Sequence, residues 1–267
     1  MKLCLGLIHN HDAKRYRRIR PALDKLKEEL SSDWDVEIFE IADQPEIVVH
    51  NMLMTMFIRG LYWKINREWI KYKLLKPRNI FLDIVVLIGR LILILIHRTK
   101  ENKKNIIYTF IADKHIRVWN ELLERKGNFL ICFEDDAVFT STSIPNLKRF
   151  LKGIKKYNNK HIYLDFAGGC SWEELKLDKL ETRSDKFRKF YSKPVSNTVC
   201  CYLINRKTAK IFLQNLLKYP WLRLLAGDWL INKLFIMTES KNNYYCYHAD
   251  PHIFRHGSTT GIYESSI

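Results

Sequence analysis

The chain has 267 residues, of which 47% are hydrophobic and 13% aromatic, with only 10 Gly and 7 Pro. That composition excludes disordered, collagen-like and low-complexity classes, and it supplies the core of one large domain or of one domain with a sizeable insertion. Its 45 Lys+Arg against 29 Asp+Glu leave a formal +16, which calls for an anionic partner: nucleic acid, nucleotide phosphate or a membrane surface.

The first elements follow from periodicity. Lys2–Ile8 is an apolar run closed by Asn10, His11 and Asp12, the pattern of a buried strand. From Arg15 to Leu30 the residues Ile19, Leu23, Leu26 and Leu30 recur at helical spacing, and Val36–Ile41 reads as a second strand. The N-terminus is too short and too quickly polar to read as a signal peptide.

The stretch 45–105 breaks the pattern and reads as a helical insertion. Net charge is −2 over residues 1–50, +9 over 51–104 and +9 over the whole of 105–267, so the excess is concentrated here. Within Ile58–Tyr72, Ile58, Leu61, Tyr62, Ile65, Trp69 and Tyr72 share one helical face, and Lys64, Arg67 and Lys71 another. A basic amphipathic helix with aromatic residues on its apolar side is the pattern of a membrane-surface helix. Ile80–Ile96 falls short of the roughly 20 residues a spanning helix needs. Lys76, Asp83, Arg90 and His97 recur every seven positions as a polar stripe, so in-plane attachment to an anionic leaflet fits better than a span. A buried helical hairpin or an oligomer contact is the alternative.

Beyond the insertion, helices are expected at Ile111–Leu123, Ser143–Tyr157 and Arg206–Leu217, and strands at Phe129–Phe133, His161–Asp165 and Val199–Ile204. Alternating strands and helices define an α/β layered domain with a mainly parallel sheet, and residues 1–267 read as one such domain. Six cysteines show no CxxC pair and no zinc-like spacing, which indicates small buried hydrophobes in a reducing compartment.

The sharpest chemical signal is the apolar strand Phe129–Phe133 running into Glu134, Asp135 and Asp136. Carboxyl ends of strands are where open α/β sheets bind ligands. Three adjacent carboxylates repel one another unless cations or donors compensate, and hard divalent ions bridge carboxylate and phosphate oxygens. A metal–diphosphate site is therefore expected, with a helix N-terminal charge cluster as the alternative. Asp228 heads a second helix-like run, Asp228–Phe235, as an N-cap or a general base. Asp165 ends the strand His161–Asp165 and is the rival base or an acceptor contact; the Gly168–Gly169 pair after it permits close approach of a ligand.

These residues carry a resemblance. The segment Phe129–Phe139 resembles the EDD motif of the family 25 glycosyltransferases, the bacterial lipooligosaccharide galactosyltransferases and their collagen-modifying relatives. In the same order, His9–Arg18 is similar to the family's N-terminal stretch, Lys114-His115-Ile116 with Trp119 to its Ser-His helix, and Asn197–Ala209 to a later block. Lys114 stands where the family has Ser, Gly227-Asp228-Trp229 resembles the family's late Asp, and the insertion is unmatched.

The resemblance implies a GT-A-like nucleotide-binding fold. It implies transfer of a sugar, a hexose such as galactose, from a nucleotide-sugar donor, UDP-sugar foremost, to a lipid-linked, lipopolysaccharide or capsule-type glycan acceptor. Under it Asp136, Glu134 and His256 hold Mn²⁺ or Mg²⁺, and Asp228 is the base of an inverting transfer with Asp165 as rival. Glu134, Asp135, Arg15, His115, Thr198 and Arg255 contact the donor, with Asp135 at the ribose or sugar hydroxyls. The protein is then expected on the inner face of the cell membrane. His248 and His252 read as loop histidines, and the Ser/Thr/Gly-rich end as a lid or a frayed terminus. The competing classes are a metal-dependent nucleotidyl or phosphoryl transferase, which would want a phosphate-cradling Gly-rich loop, and a basic non-enzymatic membrane- or nucleic-acid-binding protein. No zinc finger or RRM signature supports nucleic acid.

Overall fold

In the computed structural model the described residues are 1–42, 98–169, 182–185, 188–191, 195–238, 244–249 and 251–263, with scattered positions between 61 and 96. The chain opens with β1 (Lys2–Ile8), α1 (Ala13–Leu30) and β2 (Asp35–Ile41). It continues with α2 (Arg98–Glu124), whose first turns lie within the stretch read as the insertion, and with β3 (Phe129–Glu134), β4 (Ala137–Val138), α3 (Ser143–Leu151) and β5 (His161–Asp165). There follow β6 (Thr182–Asp185), β7 (Arg188–Tyr191), β8 (Cys201–Asn205), α4 (Arg206–Lys218), α5 (Gly227–Thr238), β9 (Tyr244–Ala249) and β10 (Arg255–His256).

Eight strands form one sheet in the order β2-β1-β3-β8-β5-β9-β7-β6. The pairs β1·β2, β1·β3 and β5·β9 are parallel, whereas β8 runs antiparallel to both β3 and β5, and β7 antiparallel to β9 and β6. Most strands thus point one way, as the α/β reading requires, but β8 is a reversed strand in the centre. Alternation by strand could not reveal that reversal, because a fully buried strand has the same apolar face in either direction.

The period-two pattern assigns the two faces. Leu3, Leu5 and Leu7 of β1 with Phe129, Ile131 and Phe133 of β3 pack against α1 and α3, where Ile19, Leu23, Leu26, Leu30 and Leu147 are buried. Cys4 and Ile8 with Leu130 and Cys132 face the opposite layer, containing Val118 and Trp119 of α2, Phe212 of α4 and Leu234 and Phe235 of α5. Each fully buried Leu or Ile contributes about 1.5–3 kcal/mol, so both layers are needed to hold the sheet. Helix α1 starts where Asp12 accepts the N–H groups of Lys14 and Arg15 at 2.9 and 3.0 Å, a side-chain N-cap. The helix expected over Ser143–Tyr157 ends at Leu151, because Gly153 turns left-handed (φ 79°) and a 3-10 turn, Ile154–Tyr157, follows.

The amphipathic face of Ile58–Tyr72, the apolar run Ile80–Ile96 and the stripe Lys76, Asp83, Arg90 and His97 lie largely outside the described residues. Among those described, Tyr62 and Ile70 pack on the core near α5, and Lys233 Nζ stacks 3.5 Å from the Trp69 ring. Ile84, Val85, Ile88, Ile92 and Ile96 are helical and 50–66% exposed, spaced about one turn apart. No helix among the described residues is long and apolar enough to cross a membrane.

Candidate active site

Strands β1 and β3 run parallel and in register, Ile8 beside Glu134, so their carboxyl ends open together at one edge. A cavity of 310 Å³ lies there, lined by Asn10 and Arg15, by Tyr108 and Ile111 of α2, by Glu134–Asp136, by Thr198 and Val199, by Ala226–Asp228, and by His256, Ser258 and Thr259. Its walls come from every part of the chain, and two local devices bring them together. Glu134 N–H donates to Cys200 O at 2.9 Å, tying the motif to the start of β8. The ribbon β4·β10 pairs Ala137 with His256, which carries a residue 120 positions downstream to the side of Asp136.

The three carboxylates have different surroundings. Asp135 is held by the protein itself, accepting Asn10 N–H at 3.1 Å and Arg15 Nη1 at 3.2 Å. Arg15 lies in turn 5.2 Å above the Tyr263 ring. Asp136 Oδ2 accepts Ser258 Oγ–H at 2.7 Å and lies 3.4 Å from His256 Nδ1, whereas its Oδ1 is buried with no hydrogen-bond partner among the described residues. A buried carboxylate oxygen with nothing to accept from is costly, and it marks the place where a cation fits. Glu134 lines the same cavity, its carboxyl pushed up to about 8 by burial and by the negative charges of Asp136 and Asp135.

His115 of α2 stands behind Glu134. Burial drives its pKa down to about 3, so it is a neutral imidazole and its 3.1 Å contact with Glu134 is a hydrogen bond, not an ion pair. The tautomer follows from the chain behind it. Trp119 Nε1–H can only donate, and it donates to Tyr202 Oη at 2.9 Å. Tyr202 O–H then faces His115 Nδ1 at 3.0 Å, and the Cys132 thiol faces the same nitrogen at 3.6 Å. With Tyr202 O–H donating to Nδ1, Nε2–H is left to donate to Glu134. Gly227 closes the stack, since a Cβ there would come within 3.0 Å of the His115 ring. His115 was expected to touch the donor; it instead supports Glu134 from the core, because the motif's apolar strand leaves no room between α2 and β3.

Asp228 is the second residue of α5, and its carboxylate takes the first-turn N–H groups of that helix, its own and that of Trp229. Burial raises its pKa to about 6, against the pull of those N–H groups and Arg67. The N-terminal role and the place in the cavity wall coexist in one side chain. Thr198 lines the cavity opposite with a left-handed backbone (φ 64°), a strain of about 1–3 kcal/mol that the surrounding network holds.

Three expectations need correction. Asp165 is not at the cavity: it is buried, accepting Asn197 N–H at 2.9 Å and lying 2.9 Å from Tyr163 Oη, and burial raises its pKa well above the ordinary range. It supports the Asn197–Thr198 corner from beneath. Arg255 is exposed and not in the cavity wall, because neighbours on the ribbon alternate and His256 takes the inward position. Gly168 and Gly169 admit the protein's own side chains, with a Cβ at 168 falling 2.4 Å from the His252 ring and one at 169 falling 2.4 Å from Thr198 Cγ2. The C-terminal end is folded onto the motif through residue 263, with Gly257 N–H donating to Asp136 O at 2.8 Å. The sequence assigned no site role to Asn10, Cys200, Tyr202 or Ser258, and it marked Lys114 only as a departure from the family's Ser. Lys114, buried, donates to His9 O at 3.0 Å and pins the β1 end to α2.

The sequence comparison points to the glycosyltransferases. Residues 113–231, from the middle of α2 into α5, match the family model of glycosyltransferase family 25 (LPS biosynthesis protein). Glu134–Asp136, Cys200 and Asp228 lie within the match, and the insertion at 45–105 lies outside it. Among solved structures the chain is similar to a glycosyltransferase involved in the glycosylation of the major capsid of PBCV-1, at 10% identity and a TM-score of 0.36, covering 95% of this chain and 92% of that one. No curated protein sequence matches the chain.

Proposed function

We propose that the cavity binds a nucleotide-sugar, a UDP-hexose foremost, and that the enzyme transfers its sugar to a glycan or glycolipid acceptor in lipopolysaccharide-type assembly. The observation that carries this reading is the meeting, in one 310 Å³ cavity, of an acidic motif containing a partnerless buried oxygen and a separate carboxylate, Asp228, poised near neutrality. Asp136, His256 and Glu134 would hold Mn²⁺ or Mg²⁺, which supplies charge neutralisation for the departing diphosphate. Arg15, held on Asp135 at 3.2 Å, orients that carboxylate beside the cavity. Asp228 takes the proton of the acceptor hydroxyl as its oxygen bonds to the anomeric carbon and the bond to the diphosphate breaks, which inverts the configuration there. A base with a pKa about 6 is ionised at neutral pH yet still basic enough to accept that proton.

The exposed isoleucine row at 84–96 and the +9 carried by residues 51–104 support attachment of the insertion to an anionic membrane leaflet, where a lipid-linked acceptor resides. The test is transfer from a panel of nucleotide-sugars to lipid-linked acceptors with Mn²⁺, Mg²⁺ or EDTA, with product configuration read by NMR. Turnover that needs the cation and inverts the anomeric centre is the expected result; a retained configuration would remove Asp228 as base.

A further inference from the structure

Beside Asp136 lies a side chain that the proposed transfer leaves unused. Cys200 is fully buried, and its Sγ, a carboxylate oxygen of Asp136 and a ring nitrogen of His256 all lie within 4.8 Å of one another. The three come from separate segments: the turn after β3, the residue before β8, and the ribbon strand β10. Their convergence is built by the backbone, through the Glu134 N–H to Cys200 O bond at 2.9 Å and the Ala137–His256 pairing.

Two observations point to a ligand. Asp136 Oδ1 is buried without a partner, in a residue only 5% exposed. His256 Nδ1 lies 3.4 Å from Asp136 Oδ2 and also 3.4 Å from Thr259 N–H, so a nitrogen in position to accept from the backbone sits against an anionic oxygen. A cation between nitrogen and carboxylate resolves both. The donor set then decides which cation. Mg²⁺ prefers an all-oxygen octahedron and keeps its waters, whereas carboxylate, imidazole and thiolate together suit the later first-row ions and their soft analogues.

Resting on the reading of a divalent cation at Asp136, we propose that Cys200 is a ligand of that cation, and that the site favours a thiophilic ion of the Zn²⁺, Co²⁺ and Cd²⁺ class over Mg²⁺. On binding, the S–H bond breaks, its proton leaves to solvent and the sulfur binds as thiolate, with no change in oxidation state. Cys132, facing His115 on the other side of Glu134, is not part of the cluster.

The test uses the full chain and Co²⁺ alone as probe, with binding measured by equilibrium dialysis and ligation by absorption. The expected result is a thiolate-to-cobalt charge-transfer band in the native protein. Cys200→Ser should abolish the band and weaken Co²⁺ and Cd²⁺ binding by at least about tenfold, with Mg²⁺ binding changed by less than about threefold. Co²⁺ that binds the native protein without the band overturns the assignment of Cys200, whatever the variant does, and so does a band that survives in a folded Cys200→Ser or Cys200→Ala protein. Absence of any Co²⁺ binding overturns the cation site at Asp136 itself, a separate failure from that of the cysteine.

Discussion

Two strand ends in this sheet look alike in sequence and differ in what surrounds their carboxylates. β3 runs apolar into Glu134-Asp135-Asp136, and β5 runs apolar into Asp165. At the first, the chain turns into the β4·β10 ribbon, and Asp136 is left with an oxygen that no group among the described residues satisfies. At the second, Tyr163 and Asn197 surround the carboxyl, and Asp165 becomes a buried strut. An acidic residue at a strand end is thus a site only where the surrounding chain leaves it incompletely satisfied; where the chain supplies donors, the same residue is structural.

The largest expected effect separates the two ends directly. Asp136→Ala should lower transfer by at least about 10³-fold with a smaller effect on the melting temperature, because it removes the carboxylate proposed to hold the cation while only Ser258 and His256 lose a contact. A loss of less than about tenfold would remove the distinction between the two carboxylates. Asp228→Asn comes next, with turnover reduced by about 10²-fold or more. In the native enzyme the rate should rise with pH through about 6 as Asp228 ionises, and the variant should lose that limb. Stability moves the opposite way. A folded-state pKa raised above the ordinary carboxylate value gives stability that is present at pH 4 and lost as pH rises through 6, so Asp228→Asn should melt like wild type at pH 4 and be more stable at pH 7, by about 2 kcal/mol.

Gly227→Ala tests the support behind Glu134. The added Cβ meets the His115 ring at 3.0 Å, and the displaced imidazole should cost about tenfold in turnover while nucleotide-sugar affinity, read by calorimetry, changes less. The smallest effect on activity belongs to β5. Asp165→Ala should leave turnover within about threefold but destabilise the fold by about 1–3 kcal/mol in chemical denaturation, because Tyr163 Oη and Asn197 N–H lose their acceptor. A selective loss of turnover at unchanged stability would restore Asp165 to the chemistry.

Much of the architecture was legible in the residues. Apolar runs and 3.6-residue periodicity located β1, α1, β2, β3, β5 and α4 to within a few positions, because buried faces impose their period on the sequence whatever surrounds them. The ribbon β4·β10 was not legible, since strands of two residues carry no period. The site was legible as a set of types. Glu134–Asp136, Arg15, Thr198, Asp228 and His256 were singled out and do share one cavity. Their ranks were not, since Asp135 is neutralised internally by Arg15 and Asn10, and His115 is withdrawn into the core by Tyr202 and Trp119.

By itself, then, the sequence determined which segments are buried, where three carboxylates leave a strand, and that a basic, apolar stretch stands apart from the rest, because these are properties of local composition and period. Only the tertiary structure decided that β8 is reversed in the middle of the sheet, that Asp165 faces inward while Asp136 keeps a free oxygen, and that Cys200 and His256 meet beside it. Those outcomes depend on contacts between residues tens to more than a hundred positions apart, which no local pattern encodes.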